Sequence, residues 1–154
     1  MGKGEMGSPA PAQLLDSGLC GLALVAGYYR IAGDTAQLKH QLALTGRSAQ
    51  VEDIVRGANI LQLKSRILRG VSARRLGAIP YPAILGLKEG GFAVLGAGSA
   101  KGMARLVDPI GRTAQELSME EIAALSSGEL VLITRRLGGA GVDPKTFGDR
   151  KSVV

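Results

Sequence analysis

The chain has 154 residues, of which 45% are hydrophobic, 21% charged and 3% aromatic, and its single cysteine cannot form an internal disulfide. This is the length of one domain, and the apolar fraction is too high for a disordered chain. No apolar run reaches the roughly 20 residues of a membrane helix, while a formal net charge of +6 is compatible with an anionic partner.

The two ends of the chain differ from its middle part. Residues 1–13 are rich in Gly, Pro and Ser, and they lack the apolar segment of a signal peptide. We interpret them as a flexible leader or a cloning remnant. Residues 137–154 have a similar composition and are interpreted as a linker leading out of the domain or an added tail. The predicted domain is therefore residues 14–136.

The first part of this domain has helical spacing. Apolar residues three and four positions apart predict a first helix beginning at Ser17: Leu19, Leu22, Ala23, Ala26 and Tyr29. Since Leu24 and Tyr28 add apolar surface on other sides, we expect this helix to be buried. The pair Asp34 and Gln37 predicts a second helix ending near Gly46, and Ser48 is predicted to cap a third.

Beyond residue 61 the apolar runs become short and are bounded by Gly, Pro or charged residues. Five of them predict strands: residues 65–68, 83–87, 92–95, 104–107 and 130–133. A capping box formed by Ser118 and Glu121 predicts one more short helix before the last strand. Helices followed by an antiparallel sheet indicate an α+β fold.

The glycine-rich run from Gly96 to Gly102 follows a predicted strand, which is the position of a phosphate-binding loop. Lys101 stands where the dinucleotide fingerprint needs its third glycine, and a strand follows instead of a helix. No phosphate-binding lysine motif is present either. We therefore interpret the run as a hairpin loop and expect no cofactor in this domain.

Cys20 and His40 are the chain's only cysteine and only histidine. A lone histidine has no second histidine with which to hold a metal, and we expect no metal site. A free cysteine inside a helix is most often a small buried hydrophobic residue, which is our interpretation of Cys20. A catalytic pair of Cys20 with His40 stays open at this point, although nothing in their spacing favours it.

A basic stretch contains no acidic residue: Lys64, Arg66, Arg69, Arg74 and Arg75. A nucleic-acid surface would add stacking aromatic residues or a recognition helix, and neither is near, so we expect no nucleic-acid partner. Alternation of Lys64 and Arg66 with Ser65 and Ile67 is typical of an edge strand with a solvated face.

The run from Asp16 to Tyr29, which opens Asp-Ser-Gly and closes Tyr-Tyr, resembles the first helix of the double-glycine-leader cysteine peptidases. These are papain-like domains at the N-terminus of bacterial peptide-exporting ABC transporters. Five further segments resemble the family in the same order: residues 53–61, 79–85, 90–95, 107–111 and 118–121. The resemblance extends from about Asp16 to Arg136 and implies a papain-like fold.

The same resemblance places Ser17 at the position of the catalytic cysteine and Gly91 at the position of the histidine base, while Asp108 keeps the third position. Gln13 lies near the position of the oxyanion glutamine but is displaced by a couple of residues. A nucleophile of this type needs an imidazole to take its proton. The resemblance therefore implies vestigial positions at Ser17, Gly91 and Asp108 and no catalytic residue.

Loss of the catalytic cysteine is similar to the peptidase-like domains of type I secretion transporters, which export RTX toxins and adhesins. The resemblance implies a catalytically inactive domain that recognises an unfolded RTX-type cargo on the cytoplasmic side of the bacterial inner membrane. Its other partner would be the rest of the transporter, an ATPase with membrane and nucleotide-binding domains to which residues 137–154 would lead. We expect no insertion of this domain into the membrane.

Positive charge at Lys64, Arg66 and Arg69 is predicted to steer an acidic cargo toward the domain. Two alternatives remain at this point. One is a residual cysteine peptidase that cleaves double-glycine leader peptides through Cys20 and His40, and the other is a purely structural domain of the transporter.

Overall fold

The computed structural model describes residues 16–44 and 46–135, so the predicted leader (1–13) and linker (137–154) lie outside the described residues. The helices in this part of the chain are α1 (Ser17–Tyr28), α2 (Thr35–Gln41), α3 (Val51–Ile60), α4 (Ala73–Leu76) and α5 (Met119–Leu125). The strands are β1 (Leu63–Arg69), β2 (Ala83–Leu87), β3 (Phe92–Ala97), β4 (Met103–Val107), β5 (Ala114–Ser118) and β6 (Ser126–Arg135). None of the described helices has the length and apolar character needed to cross a membrane.

The described strands form one antiparallel sheet in the order β1-β6-β2-β3-β4-β5. Strands β2 to β5 follow one another as neighbours, and β6 returns between β1 and β2. This arrangement confirms the predicted α+β fold. It leaves β1 at one edge of the sheet and β5 at the other.

Helices cover both faces of this sheet. On one face α1, α2 and α3 enclose a core that includes Ile84 of β2 and Val131 of β6. On the other face α4 and α5 cover Leu85 and Leu130, the adjacent residues of the same two strands. Because successive side chains of a strand point to opposite faces, each central strand contributes to both cores. This is why the central strands have continuous apolar runs instead of an alternating pattern.

Several predicted elements are confirmed. Each of the five predicted strands is present, and β2 has the predicted bounds. The capping box at α5 forms as predicted, since Ser118 Oγ accepts the Glu121 N–H at 3.2 Å and the Glu121 carboxylate accepts the Ser118 N–H at 2.9 Å. Gly96 and Ala97 end β3 and residues 98–102 turn toward β4, so the run forms a hairpin as predicted.

Two helix bounds were predicted wrongly. The second helix ends at Gln41 and not near Gly46, because Ala43 has a φ of 56° and leaves the helical conformation. The third helix is capped by Gln50 and not by Ser48, since the carboxylate of Asp53 accepts the Gln50 N–H at 2.8 Å. Neither α4 nor β5 was predicted, because each is short and lacks a clear apolar period.

The strongest electrostatic contact of the fold surrounds Asp53, which is 4% exposed. Its carboxylate accepts hydrogen bonds from Arg47 Nη1 at 2.8 Å and Arg47 Nη2 at 3.1 Å, and it forms an ion pair with Arg56 at 3.4 Å. The Arg47 guanidinium, and after it the Gln50 N–H, hold the pKa of this carboxyl below its ordinary value against the opposing effect of burial. The ion pair thereby fixes the chain that leads into α3.

We expect Asp53→Asn to lower the free energy of unfolding by about 1–3 kcal/mol at neutral pH, because charge-assisted hydrogen bonds to Arg47 are lost. The folded-state pKa lies below the unfolded value of about 3.9, so the contribution is complete above that value and is lost as the pH falls through the folded-state pKa. Urea unfolding over a pH series measures the difference between the two proteins. The control is Glu89→Gln, an exposed carboxylate with no ion pair among the described residues. A difference that does not shrink on acidification would contradict this role of the Asp53 charge.

Candidate functional site

Ser17 is the first residue of α1, and its backbone is fixed by the residue before it. Asp16 Oδ1 accepts the N–H groups of Gly18 at 2.9 Å and Leu19 at 3.3 Å, which caps the helix. The second oxygen of the same carboxylate accepts the Ala49 N–H at 2.8 Å. The start of α1 is therefore tied to the segment that leads into α3.

The side chain of Ser17 ties the same helix to the sheet. Its Oγ accepts the N–H of Phe92, the first residue of β3, at 2.9 Å. The hydroxyl oxygen thus has a partner inside the protein.

Gly91 lies directly against this hydroxyl. Gly91 has a φ of 81° and Gly90 has a φ of 101°, both in the left-handed region that other residues rarely adopt. An ideal Cβ built on Gly91 would lie 2.8 Å from Ser17 Oγ. A side chain at residue 91 would therefore require the Ser17 side chain to move, and its backbone would be strained at this φ.

Asp108 follows the end of β4 and is exposed. It lines the same cleft as Ser17 and Gly91, a space of about 500 Å³. Its Oδ1 accepts the Ile110 N–H at 3.0 Å, and its own N–H donates to the Thr113 carbonyl at 2.8 Å. The cleft therefore brings together the three predicted positions, and its lining contains no imidazole.

Cys20 lies one helical turn beyond Ser17 and is half-buried, where the sequence predicted a small buried hydrophobic residue. Burial raises the pKa of its thiol, and the charges of Asp16 and Asp108 act in the same direction. The thiol is consequently protonated at neutral pH. His40 is exposed on α2, and no hydrogen bond joins it to Cys20 in the described structure.

A second, more apolar groove of about 940 Å³ runs between α1 and strands β3 and β4. Its floor includes Leu24, Val94 and Gly96, and Arg105 and Arg112 also line it. Tyr28 borders this groove and is 69% exposed, so the expectation of a helix buried all round is wrong for this side of α1. The apolar residues on the outer side of α1, which we expected to belong to the core, line this groove and were its only signal in the sequence.

The three residues predicted to steer cargo do not share one surface. Strand β1 is an edge strand, as predicted. Lys64 and Arg66 are exposed on it without partners among the described residues. Arg69 lies on the other face of β1, where it forms ion pairs with Glu52 at 2.9 Å and with Glu129 at 3.1 Å.

Two further predictions concern a metal ion and the oxyanion residue. Among the described residues no group of three or more His, Cys, Asp or Glu side chains could hold a metal ion. Gln13, considered as an oxyanion residue, lies outside the described residues.

Comparison with known proteins identifies the family of the chain. The model of the peptidase C39 family matches residues 11–137. The chain is 35% identical over 122 residues to the cyclolysin secretion/processing ATP-binding protein CyaB of Bordetella pertussis, a match that covers 79% of this chain. The chain spans only 17% of the length of that relative.

Solved structures agree with this family. A double glycine motif protease from an AMS/PCAT transporter, crystallised with its leader peptide, has a TM-score of 0.68 at 20% identity, over 79% of this chain and 85% of that one. The N-terminal peptidase C39-like domain of a toxin secretion ATP-binding protein from Vibrio parahaemolyticus has a TM-score of 0.61 at 23% identity, over 79% and 98%. At these identities the likeness shows the fold, which is that of the C39 peptidase domains.

We expect Ser17→Ala to lower the free energy of unfolding by about 0.5–1.5 kcal/mol, because the Phe92 N–H loses its acceptor and α1 loses a contact with the sheet. Urea unfolding measures the change. The matched control is Ser127→Ala, since Ser127 is exposed and has no hydrogen bond within the described structure. Equal stability of the two variants would show that the Ser17 hydroxyl has no structural role.

Proposed function

Because the chain belongs to the peptidase C39 family, we propose that it is a catalytically inactive peptidase-like domain of an ABC transporter that recognises an unfolded secreted protein. The observation that carries this proposal is the contact between Ser17 and Gly91. The position that must supply a base has no side chain, and a Cβ built there would lie only 2.8 Å from Ser17 Oγ.

The chemistry of the cleft supports the loss of peptidase activity. A serine hydroxyl becomes a nucleophile only when an adjacent base takes its proton. Ser17 Oγ faces glycine and accepts the Phe92 N–H, while Asp108 holds its own loop through Ile110. In papain-like chemistry the acid orients an imidazole, and here it has none to orient.

The backbone at residue 91 makes this loss hard to reverse. A residue other than glycine at a φ of 81° is strained by about 1–2 kcal/mol. Its Cβ would also come within 2.8 Å of Ser17 Oγ. A histidine at this position would combine this strained backbone with a displaced Ser17 side chain.

The environment of Cys20 argues against the alternative of a residual peptidase. Its thiol has a raised pKa, whereas reactive cysteines have a lowered one. His40 is exposed on α2 and forms no hydrogen bond with it in the described residues. We therefore favour binding over catalysis.

We expect no cleavage of a double-glycine leader peptide by the wild-type chain, by Ser17→Cys or by Ser17→Cys combined with Gly91→His. The single variant lacks a base, and in the double variant the imidazole is attached to a strained left-handed backbone and its Cβ crowds residue 17. Cys20→Ala should change nothing. Mass spectrometry of the incubated peptide measures cleavage, with an active C39 peptidase as the positive control. Cleavage by the wild type that disappears in Cys20→Ala would overturn the proposal in favour of the residual peptidase.

The apolar groove supports the binding part of the proposal. An extended or helical segment of unfolded cargo could bury apolar side chains against Leu24 and Val94, while Arg105 and Arg112 suit acidic residues beside them. Tyr28 offers a large exposed aromatic surface at the border of the groove. The relatives are named for cyclolysin secretion and toxin secretion, and we propose an RTX-type cargo on the cytoplasmic side of the inner membrane.

We expect calcium-free RTX repeats to bind this domain and calcium-loaded repeats to bind more weakly, because calcium folds the repeats and neutralises their carboxylates. Added salt should weaken binding as well, since the charges are exposed. Tyr28→Ala should weaken it about fivefold to thirtyfold, as expected for an aromatic contact worth 1–2 kcal/mol. Titration calorimetry measures these affinities.

The control for this experiment is Ile60→Ala, an exposed apolar side chain on α3 outside the groove. Equal binding of folded and unfolded repeats, or no binding of either, would favour the purely structural domain. Unchanged affinity of Tyr28→Ala would place the cargo elsewhere on the domain.

A further inference from the structure

Four cationic side chains lie on β1 and on α4, two elements that contribute to the core on the same face of the sheet, and we name them together the basic surface: Lys64, Arg66, Arg74 and Arg75. Lys64, Arg66 and Leu68 share one face of β1, because alternate residues of a strand point the same way. Leu68 packs in the same core as Leu76 of α4, so α4 lies on this face. Arg74 and Arg75 are exposed on α4.

The charges of the basic surface are not neutralised. No carboxylate among the described residues lies within 4.0 Å of any of its four side chains. Arg69 provides the contrast, since it points to the other face of β1 and contacts both Glu52 and Glu129. Within the described residues, the basic stretch thus contains one arginine with two ion pairs and four cations with none.

None of the four side chains of the basic surface lines the cleft or the apolar groove. Strand β1 is separated from β3 by three strand spacings and from β4 by four. At about 4.8 Å per spacing this is roughly 14–19 Å. A short segment bound in the groove therefore does not reach the basic surface, which points to a different partner.

The composition of the surface indicates the kind of partner. Protein interfaces usually contain a central aromatic or apolar residue that becomes buried. The large hydrophobic side chains exposed in the described structure are Tyr28, Ile60, Ile110 and Leu125, and none of them belongs to β1 or α4. Adsorption to anionic lipid headgroups needs only clustered Lys and Arg.

We propose that the basic surface binds the anionic lipid headgroups of the membrane in which the transporter resides, without insertion. This contact places β1 and α4 against the bilayer. It leaves the cleft and the apolar groove at the other edge of the sheet, open to cargo. The inference goes beyond cargo recognition and does not depend on it.

Co-sedimentation with lipid vesicles tests the proposal. We expect the chain to bind vesicles of equal parts phosphatidylglycerol and phosphatidylcholine, to release them as salt is added, and to ignore pure phosphatidylcholine. Arg74→Ala combined with Arg75→Ala should weaken binding about 25-fold, since each cation near an anionic surface contributes about fivefold. Both side chains are exposed, and circular dichroism checks that the fold is kept.

The matched control is Lys88→Ala combined with Lys101→Ala, which removes the same charge from exposed loops outside the basic surface. Its binding should fall by much less. Absence of binding to the anionic vesicles at low salt, or an equal loss in both double variants, would overturn the proposal. Loss of affinity for unfolded RTX repeats in Arg74→Ala/Arg75→Ala, with vesicle binding unchanged, would assign the surface to an acidic protein instead.

Discussion

The hydrogen bond from the Phe92 N–H to Ser17 Oγ is the contact on which the site depends. Together with the bond from Ala49 to Asp16, it fixes the first turn of α1 against the sheet and against the segment before α3. The hydroxyl then occupies the space next to Gly91, within 2.8 Å of where a Cβ would stand. In this position the Ser17 hydroxyl joins α1 to the sheet.

Placement of α1 has a second consequence, on its outer side. One side of the helix is buried through Leu22 and Val25, which belong to the larger core. Its other side, with Leu24 and Tyr28, is only partly covered and lines the groove toward β3 and β4. The hydrogen bonds of Ser17 and Asp16 therefore also position the helix that lines the apolar groove. A domain that binds extended segments requires such a preformed surface, because the ordering of an unfolded partner already offsets much of the contact energy.

Much of the fold could be predicted from local sequence, and the failures have physical reasons. Continuous apolar runs identified the central strands because residues such as Ile84 and Leu85 are buried on both faces of the sheet. The start of α3 could not be predicted, since it depends on how Asp53 meets the backbone of Gln50 in the folded chain. Resemblance to a family assigned Ser17 and Gly91 to the positions of the nucleophile and the base. The left-handed backbone at Gly91 is visible only in the structure.

The separation of Arg69 from Lys64 and Arg66 could have been predicted from the sequence. Residues 64 and 66 share strand parity and residue 69 does not, so the alternation of a strand already separates Arg69 from the other two. Only the structure shows that Glu52 and Glu129 neutralise it. The carboxyl whose pKa the fold holds low, Asp53, likewise serves an ion pair with Arg47 under α3. Perturbed acids often mark catalytic sites. Here the tuned acid forms an ion pair within the scaffold, whereas Lys64 and Arg66, which have no ion-pair partner among the described residues, lie on the edge strand β1.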